Sequence, residues 1–138
     1  MVDRGADVAF HGTLMTPEQD RKFGQVPDIS RYLSWLRSKN WGHGDVPAPT
    51  VRVRRGATKA TWQAPGVIAI PDAAWARREL VVLHEYAHHV VWFGSGQSDN
   101  SHGPQFCRMF ADLVRNAVGQ STGLLLTDAF YRAGLFES

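Results

Sequence analysis

One cysteine, Cys107, stands in the whole chain, which excludes an internal disulfide and fits a reducing compartment. No apolar run approaches the roughly eighteen residues of a membrane span, and Met1 to Gln25 shows no apolar signal-type segment. The expectation is therefore a cytoplasmic protein away from membranes. Charge of one sign is also scarce. Fifteen Lys+Arg against thirteen Asp+Glu leave a net +2, too little to argue for nucleic-acid binding from bulk charge. Internal repeats, low-complexity tracts and a dividing linker are all missing. What remains is a chain of 138 residues, 43% hydrophobic and 20% charged, suited to one domain over 1–138 with one core.

The order of patterns predicts an α+β fold with helices, then a small sheet, then helices. Thr16-Pro17 could open a short helix, and Ile29, Tyr32, Leu33 and Leu36 repeat at helical spacing behind Asp28 as N-cap. Gly42, Gly44, Pro47 and Pro49 mark a loop. From Thr50 the period shortens to two, with Val51 and Val53 alternating with Arg52 and Arg54. Ala60-Thr61-Trp62 and Val67-Ile68-Ala69-Ile70 follow as short strands, read together as a small antiparallel sheet. Asp72 is placed to cap a long helix from Ala73 to about Phe93. Pro104 starts another, with Phe106, Phe110, Leu113 and Ala117 on its apolar face and Gly119 as C-cap. Leu124 to Phe136 would form the last helix.

Chemistry concentrates in His84-Glu85-Tyr86-Ala87-His88. Positions four apart on a helix share one face, one turn apart, so both imidazoles can reach a single ion. Glu85, one residue round, can serve as general base without ligating. Zinc suits imidazole ligands, tolerates an open fourth position and brings the pKa of a water it holds down to about 7. This spacing arises by chance in about one chain of this length in a few hundred. Its flanks, Leu80-Val81-Val82-Leu83 and Val90-Val91-Trp92-Phe93, imply a buried helix, where two histidines and a glutamate are costly without partners.

A third ligand is needed. Val91 and Gly94 occupy the positions where a metzincin has glycine and histidine, Trp92 lies four beyond His88, and the only later glutamate is Glu137. Asp99, Asp112 and Asp128 stay open. His102, fourteen positions after His88 and just before the Gly103-Pro104 helix start, is favoured because a rigid element holds it. His89 points about 100° from His88 and is expected to support the site or face solvent. His11 and His43 receive no role. Arg52, Arg54, Arg55 and Lys59 form a basic edge, read first as a solvated strand and alternatively as a contact for acidic substrate or phosphate. Tyr131 and Arg132 could stabilise an oxyanion but are expected simply to pack; Cys107 and the five dispersed tryptophans are expected to fill the core.

His84-Glu85-x-x-His88, a polar loop, then His102-Gly103-Pro104-Gln105-Phe106-Cys107 resembles the SprT-like (Spartan-like) zinc metallopeptidases, over about residues 72–115. The chain also looks like small actinobacterial metallohydrolases with the same helix. The resemblance implies a zincin-like fold, Zn²⁺ held by His84, His88 and His102, Glu85 as catalytic base, and a peptide or protein substrate. Longer members of that family add a cysteine zinc module and DNA-interaction elements, and a single cysteine cannot build that module. Val67–Ile70, directly before the helix, would offer an edge for peptide pairing. The alternatives are a nucleic-acid-associated module and a regulatory domain with a structural or catalytically idle zinc site.

Overall fold

The structure of the chain, a computed structural model, is described for residues 21–39, 46–56, 59–94 and 103–134. The Thr16-Pro17 helix start, His11, Trp41, His43, Asp99 and His102 lie outside the described residues. The elements run α1 (Val26–Arg37), β1 (Thr50–Val53), β2 (Thr61–Gln63), β3 (Val67–Ile70), α2 (Glu79–Gly94), α3 (Pro104–Ala117) and α4 (Gln120–Arg132). The predicted α+β order holds.

The sheet is mixed, not antiparallel as the sequence suggested. Its strand order is β1-β3-β2, with β3 antiparallel to β2 but parallel to β1. Val51 pairs with Ile68 and Val53 with Ile70 on one side, while Trp62 pairs with Ile68 on the other. Ile68, Ala69 and Ile70 are fully buried, so β3 is covered on both faces. That is why its sequence is an unbroken apolar run instead of an alternation. It also removes β3 as an edge for peptide pairing, because both of its hydrogen-bonding sides are occupied. Among the described residues, the edge strands are β1 and β2.

Helix α1 begins earlier than predicted. Asp28 is not the N-cap but the third helical residue of a capping box with Gln25, accepting the Gln25 backbone N–H at 3.2 Å. The stripe Ile29, Tyr32, Leu33 and Leu36 is buried as its spacing required. In the last turn of α1, the Arg37 guanidinium donates to the Val46 carbonyl at 3.1 and 3.0 Å and draws the next described segment onto the helix.

Helix α2 starts at Glu79, later than the Ala73 expected from Asp72 as cap. Asp72 instead pairs with Arg77 at 2.6 Å, and turns bonded to the Ala73 and Ala74 carbonyls occupy the segment before the helix. The physical reason is competition for backbone groups. The Glu79 N–H donates to the Arg21 carbonyl at 2.8 Å and Lys22 bridges Arg78, so these groups serve tertiary pairing before they could serve a helix. The Glu79 side chain, 1% exposed, secures the junction by accepting from the Arg21 N–H at 3.2 Å and from the Tyr32 hydroxyl.

Helix α3 starts with Pro104 at its first turn, as predicted, and buries Phe106, Cys107, Phe110, Ala111, Leu113 and Val114. Val118 is the C-cap of α3, and Gly119, directly after it, helps close the helix by donating its N–H to the Val114 carbonyl at 3.1 Å. Gly119 is also the N-cap of α4, which therefore starts at Gln120, ahead of the predicted Leu124. The two helices meet closely where Gly123 lies on Arg115: a Cβ at Gly123 would stand 2.4 Å from the Arg115 Cβ and 2.6 Å from its Cα. One buried apolar cluster runs from α1 through β3 and α2 to α4. The tryptophans do less of this than predicted, since Trp62, Trp75 and Trp92 are half-buried and Trp35 is exposed. No helix among the described residues is long and apolar enough to cross a membrane.

Candidate metal centre

Helix α2 is apolar almost all round, and from Glu79 to Val91 only His88 escapes full burial. A helix of this kind must be packed on every side, so each polar residue it carries has to be matched by a partner. Its three histidines, His84, His88 and His89, divide by helical phase. His84 and His88 face α3, and His89 faces the sheet.

The first pair is walled by aromatic rings. Phe106 stacks on His88 with centroids 4.4 Å apart and meets His84 edge-on at 5.1 Å. Phe110 approaches His84 perpendicularly at 5.3 Å. The two imidazoles lie 5.2 Å apart, nearly perpendicular. Glu85, 1% exposed, places Oε2 at 3.0 Å from Nδ1 of His84. A proton on that Nδ1, donated to the carboxylate, leaves the ring's lone pair on Nε2. One donor atom from each of His84, Glu85 and His88 falls within 4.8 Å of the others. This group can hold a metal ion, and it is the only such group of three among the described residues. Two imidazoles and a carboxylate in a buried, aromatic-walled site fit a borderline divalent ion such as zinc.

The remaining predicted residues sort themselves out. Asp112 and Asp128, left open as third ligands, pair with Arg115 at 2.9 Å and Arg132 at 2.8 Å on exposed helix faces. They do not join the His84–Glu85–His88 group. Neither Tyr131 nor Arg132 packs as expected: Tyr131 stands 65% exposed, and Arg132 pairs with Asp128 on the surface of α4. Arg54 donates to the Lys59 carbonyl at 3.1 Å, and Arg52 reaches Gln63 at 3.4 Å. Cys107 is buried and its thiol is pushed up to about 11 by desolvation, as a core residue's would be.

For His89 the sequence leaves a supporting or a surface role, and the structure removes the surface one. His89 is fully buried, not solvent-facing. Trp62 on β2 donates its indole N–H to Nδ1 at 3.1 Å, and Nε2 lies 2.7 Å from the Pro47 carbonyl. An indole N–H only donates and a carbonyl only accepts, so the ring is the neutral Nε2–H tautomer. Desolvation, outweighing the Pro47 hydrogen bond, holds its pKa below the usual 6.5. The available signal was the apolar register around it, since a histidine on the inner face of an all-buried helix must be hydrogen-bonded. The aromatic wall was half visible, because Phe106 and Phe110 were read as an apolar face without their target.

No protein-family model, curated protein or solved structure matches this chain. The α+β chain therefore carries, on one buried helix, a candidate metal-binding group of His84, Glu85 and His88 in HExxH spacing.

Proposed function

We propose that the protein is a zinc-dependent hydrolase, most simply a metallopeptidase similar to the SprT-like family. The observation that carries this reading is the convergence of His84, Glu85 and His88 to within 4.8 Å on one helix. His84 and His88 would hold the ion together with His102. The first turn of α3 supports that third ligand: Gly103 is its N-cap, and Phe106, one turn on, lies against His88. Zinc, when bound, supplies Lewis-acid polarisation of a carbonyl and acidifies water.

The chain's own residues do the rest. Glu85 takes a proton from the attacking water as its oxygen bonds to the substrate carbonyl carbon. It then delivers that proton to the leaving nitrogen as the carbon–nitrogen bond breaks. Phe106 limits how both imidazoles can turn, and with Phe110 it shields the buried His84 from water, which strengthens electrostatic interactions there. An extended peptide would pair with the outer edge of β2, since β3 is internal and Trp62 of β2 already packs on α2.

A second reading, a metal site without turnover, is favoured by one contact, the Glu85 carboxylate held against His84. Glu85→Gln separates the two. Under the hydrolase reading it retains metal and loses about 10²–10⁴-fold in turnover of a peptide library. Metal analysis of wild type, His84→Ala, His88→Ala, His102→Ala and Asp112→Ala checks the ligands. One equivalent in wild type and Asp112→Ala, lost in the three histidine variants, is expected. Retention in His102→Ala, or a catalytically unaffected Glu85→Gln, would remove that residue from its role.

A further inference from the structure

We infer that His89 is a positioning residue for the metal group, a neutral imidazole whose two hydrogen bonds set the roll of α2 against the sheet. The inference rests on the metal-site reading and deepens it. Three observations carry it. First, His89 is anchored at both ring nitrogens to different parts of the fold, Trp62 of β2 at 3.1 Å and the Pro47 carbonyl at 2.7 Å. Second, the ring is enclosed. Tyr86 stacks on it at 5.9 Å, Phe93 meets it edge-on at 5.0 Å, and Gly66 leaves it room, since a Cβ there would stand 3.0 Å from Cε1. Third, it adjoins His88 in sequence but lies about 100° away in helical phase, so it grips a different side of the helix from the one the aromatic wall covers.

The consequence is mechanical. A side chain reaches about 5–6 Å from the helix axis, so a roll of about 10° displaces an imidazole tip by about 1 Å. Metal coordination tolerates only about 0.2 Å. An apolar residue at position 89 could fill the same space but would leave the roll angle to packing alone, with the Pro47 carbonyl and Trp62 indole losing their partner. Directional bonds fix an angle that apolar contact does not. The tautomer matters as well, because only the neutral Nε2–H ring accepts from one anchor while donating to the other.

Cobalt(II), added to the metal-free full chain and followed by its visible ligand-field absorption, is the test. Wild type, Trp62→Phe, His89→Leu and His89→Gln are titrated at a temperature where circular dichroism shows each to be folded. Trp62→Phe and His89→Leu should bind cobalt about tenfold or more weakly, with altered band intensities that report a distorted site. His89→Gln, whose amide can donate to Pro47 and accept from Trp62, should recover much of the affinity. A lowered melting temperature with wild-type cobalt affinity and spectrum in Trp62→Phe and His89→Leu would overturn the inference and leave His89 as core filling. If His89→Leu does not fold, Trp62→Phe alone decides. A wild type that binds no cobalt would instead sink the metal-site reading, and this inference with it.

Discussion

Phe106 joins the stability of the fold to the candidate site, and truncating it tests both. Its ring is fully buried, stacked on His88 at 4.4 Å, edge-on to His84 at 5.1 Å and 5.8 Å from Phe110. Phe106→Ala loses the transfer free energy of the ring and leaves a cavity, about 3–5 kcal/mol for a site that cannot collapse. Collapse is opposed here because His84 and Phe110, which would have to fill the gap, are themselves fully buried and packed. For a chain of this length, each kcal/mol corresponds to about 3–5 °C, so a fall of about 9–25 °C in Tm is expected. Phe106→Leu keeps most of the volume and should cost only about 1–2 kcal/mol, chiefly the ring–ring term and a small void. Urea unfolding followed by circular dichroism, with a chelator present, measures both without any contribution from metal. The same variants should then take up zinc more weakly in the order wild type, Leu, Ala, because the imidazoles lose the surface that orients them. Gln105→Ala, on the exposed side of the same helix turn, is the control. If Phe106→Ala destabilises no more than Gln105→Ala, α3 does not wall the histidines and the description of the site fails.

Three further outcomes follow from the geometry. Gly123→Ala should destabilise by about 2–3 kcal/mol in thermal unfolding, because its Cβ would meet Arg115 backbone atoms at 2.6 and 2.9 Å and α4 must withdraw from α3. The metal-free protein should lose stability as pH falls below about 6.5, since His89 takes up a proton more readily unfolded than folded. Its stabilising effect is complete above that pH and fades towards the lower folded pKa, with a slope of at most about 1.4 kcal/mol per pH unit; His89→Gln should flatten that part of a urea-unfolding pH series. Cys107, buried with its thiol pushed up to about 11, should ignore a thiol reagent in the native protein and react with one equivalent after denaturation.

Where a residue's role depends on its own helix, the sequence was a sufficient guide. The buried stripe of α1, the Pro104 start of α3 and the His84–His88 pair all follow from a 3.6-residue period and from local caps. Where the role depends on a distant segment, the pattern was silent. Nothing in Val51-Arg52-Val53 distinguishes a parallel from an antiparallel partner, because alternation records which face is buried and not which way the neighbour runs. The start of α2 was misplaced for a related reason: Asp72 has the chemistry of a cap, but Arg77 claims it and the strand-like segment at Arg21–Phe23 claims the backbone at Glu79. Gly119 ends α3 as its composition suggests, donating to the Val114 carbonyl, but it also begins α4, which composition does not show.

One clue in the sequence did carry long-range information and points to how the site is built. Val67-Ile68-Ala69-Ile70 does not alternate, and a strand without alternation is covered on both faces and lies inside its sheet. An internal strand directly before an all-buried helix means that the helix cannot be solvated on its sheet side, so His89 had to be inward and hydrogen-bonded. The opposite side then had to be closed by whatever followed, and the next apolar stripe in the chain is that of α3, with Phe106 and Phe110 at its start. The two adjacent histidines, His88 and His89, thus have different tasks for a geometric reason. A step of about 100° on a helix enclosed on both sides turns one imidazole towards the ion-binding group and the other towards the sheet. Exchanging their surroundings would leave a donor-poor metal group on one side and an unpaired buried ring on the other, so the order of the two layers around α2 determines which histidine can take part in binding an ion.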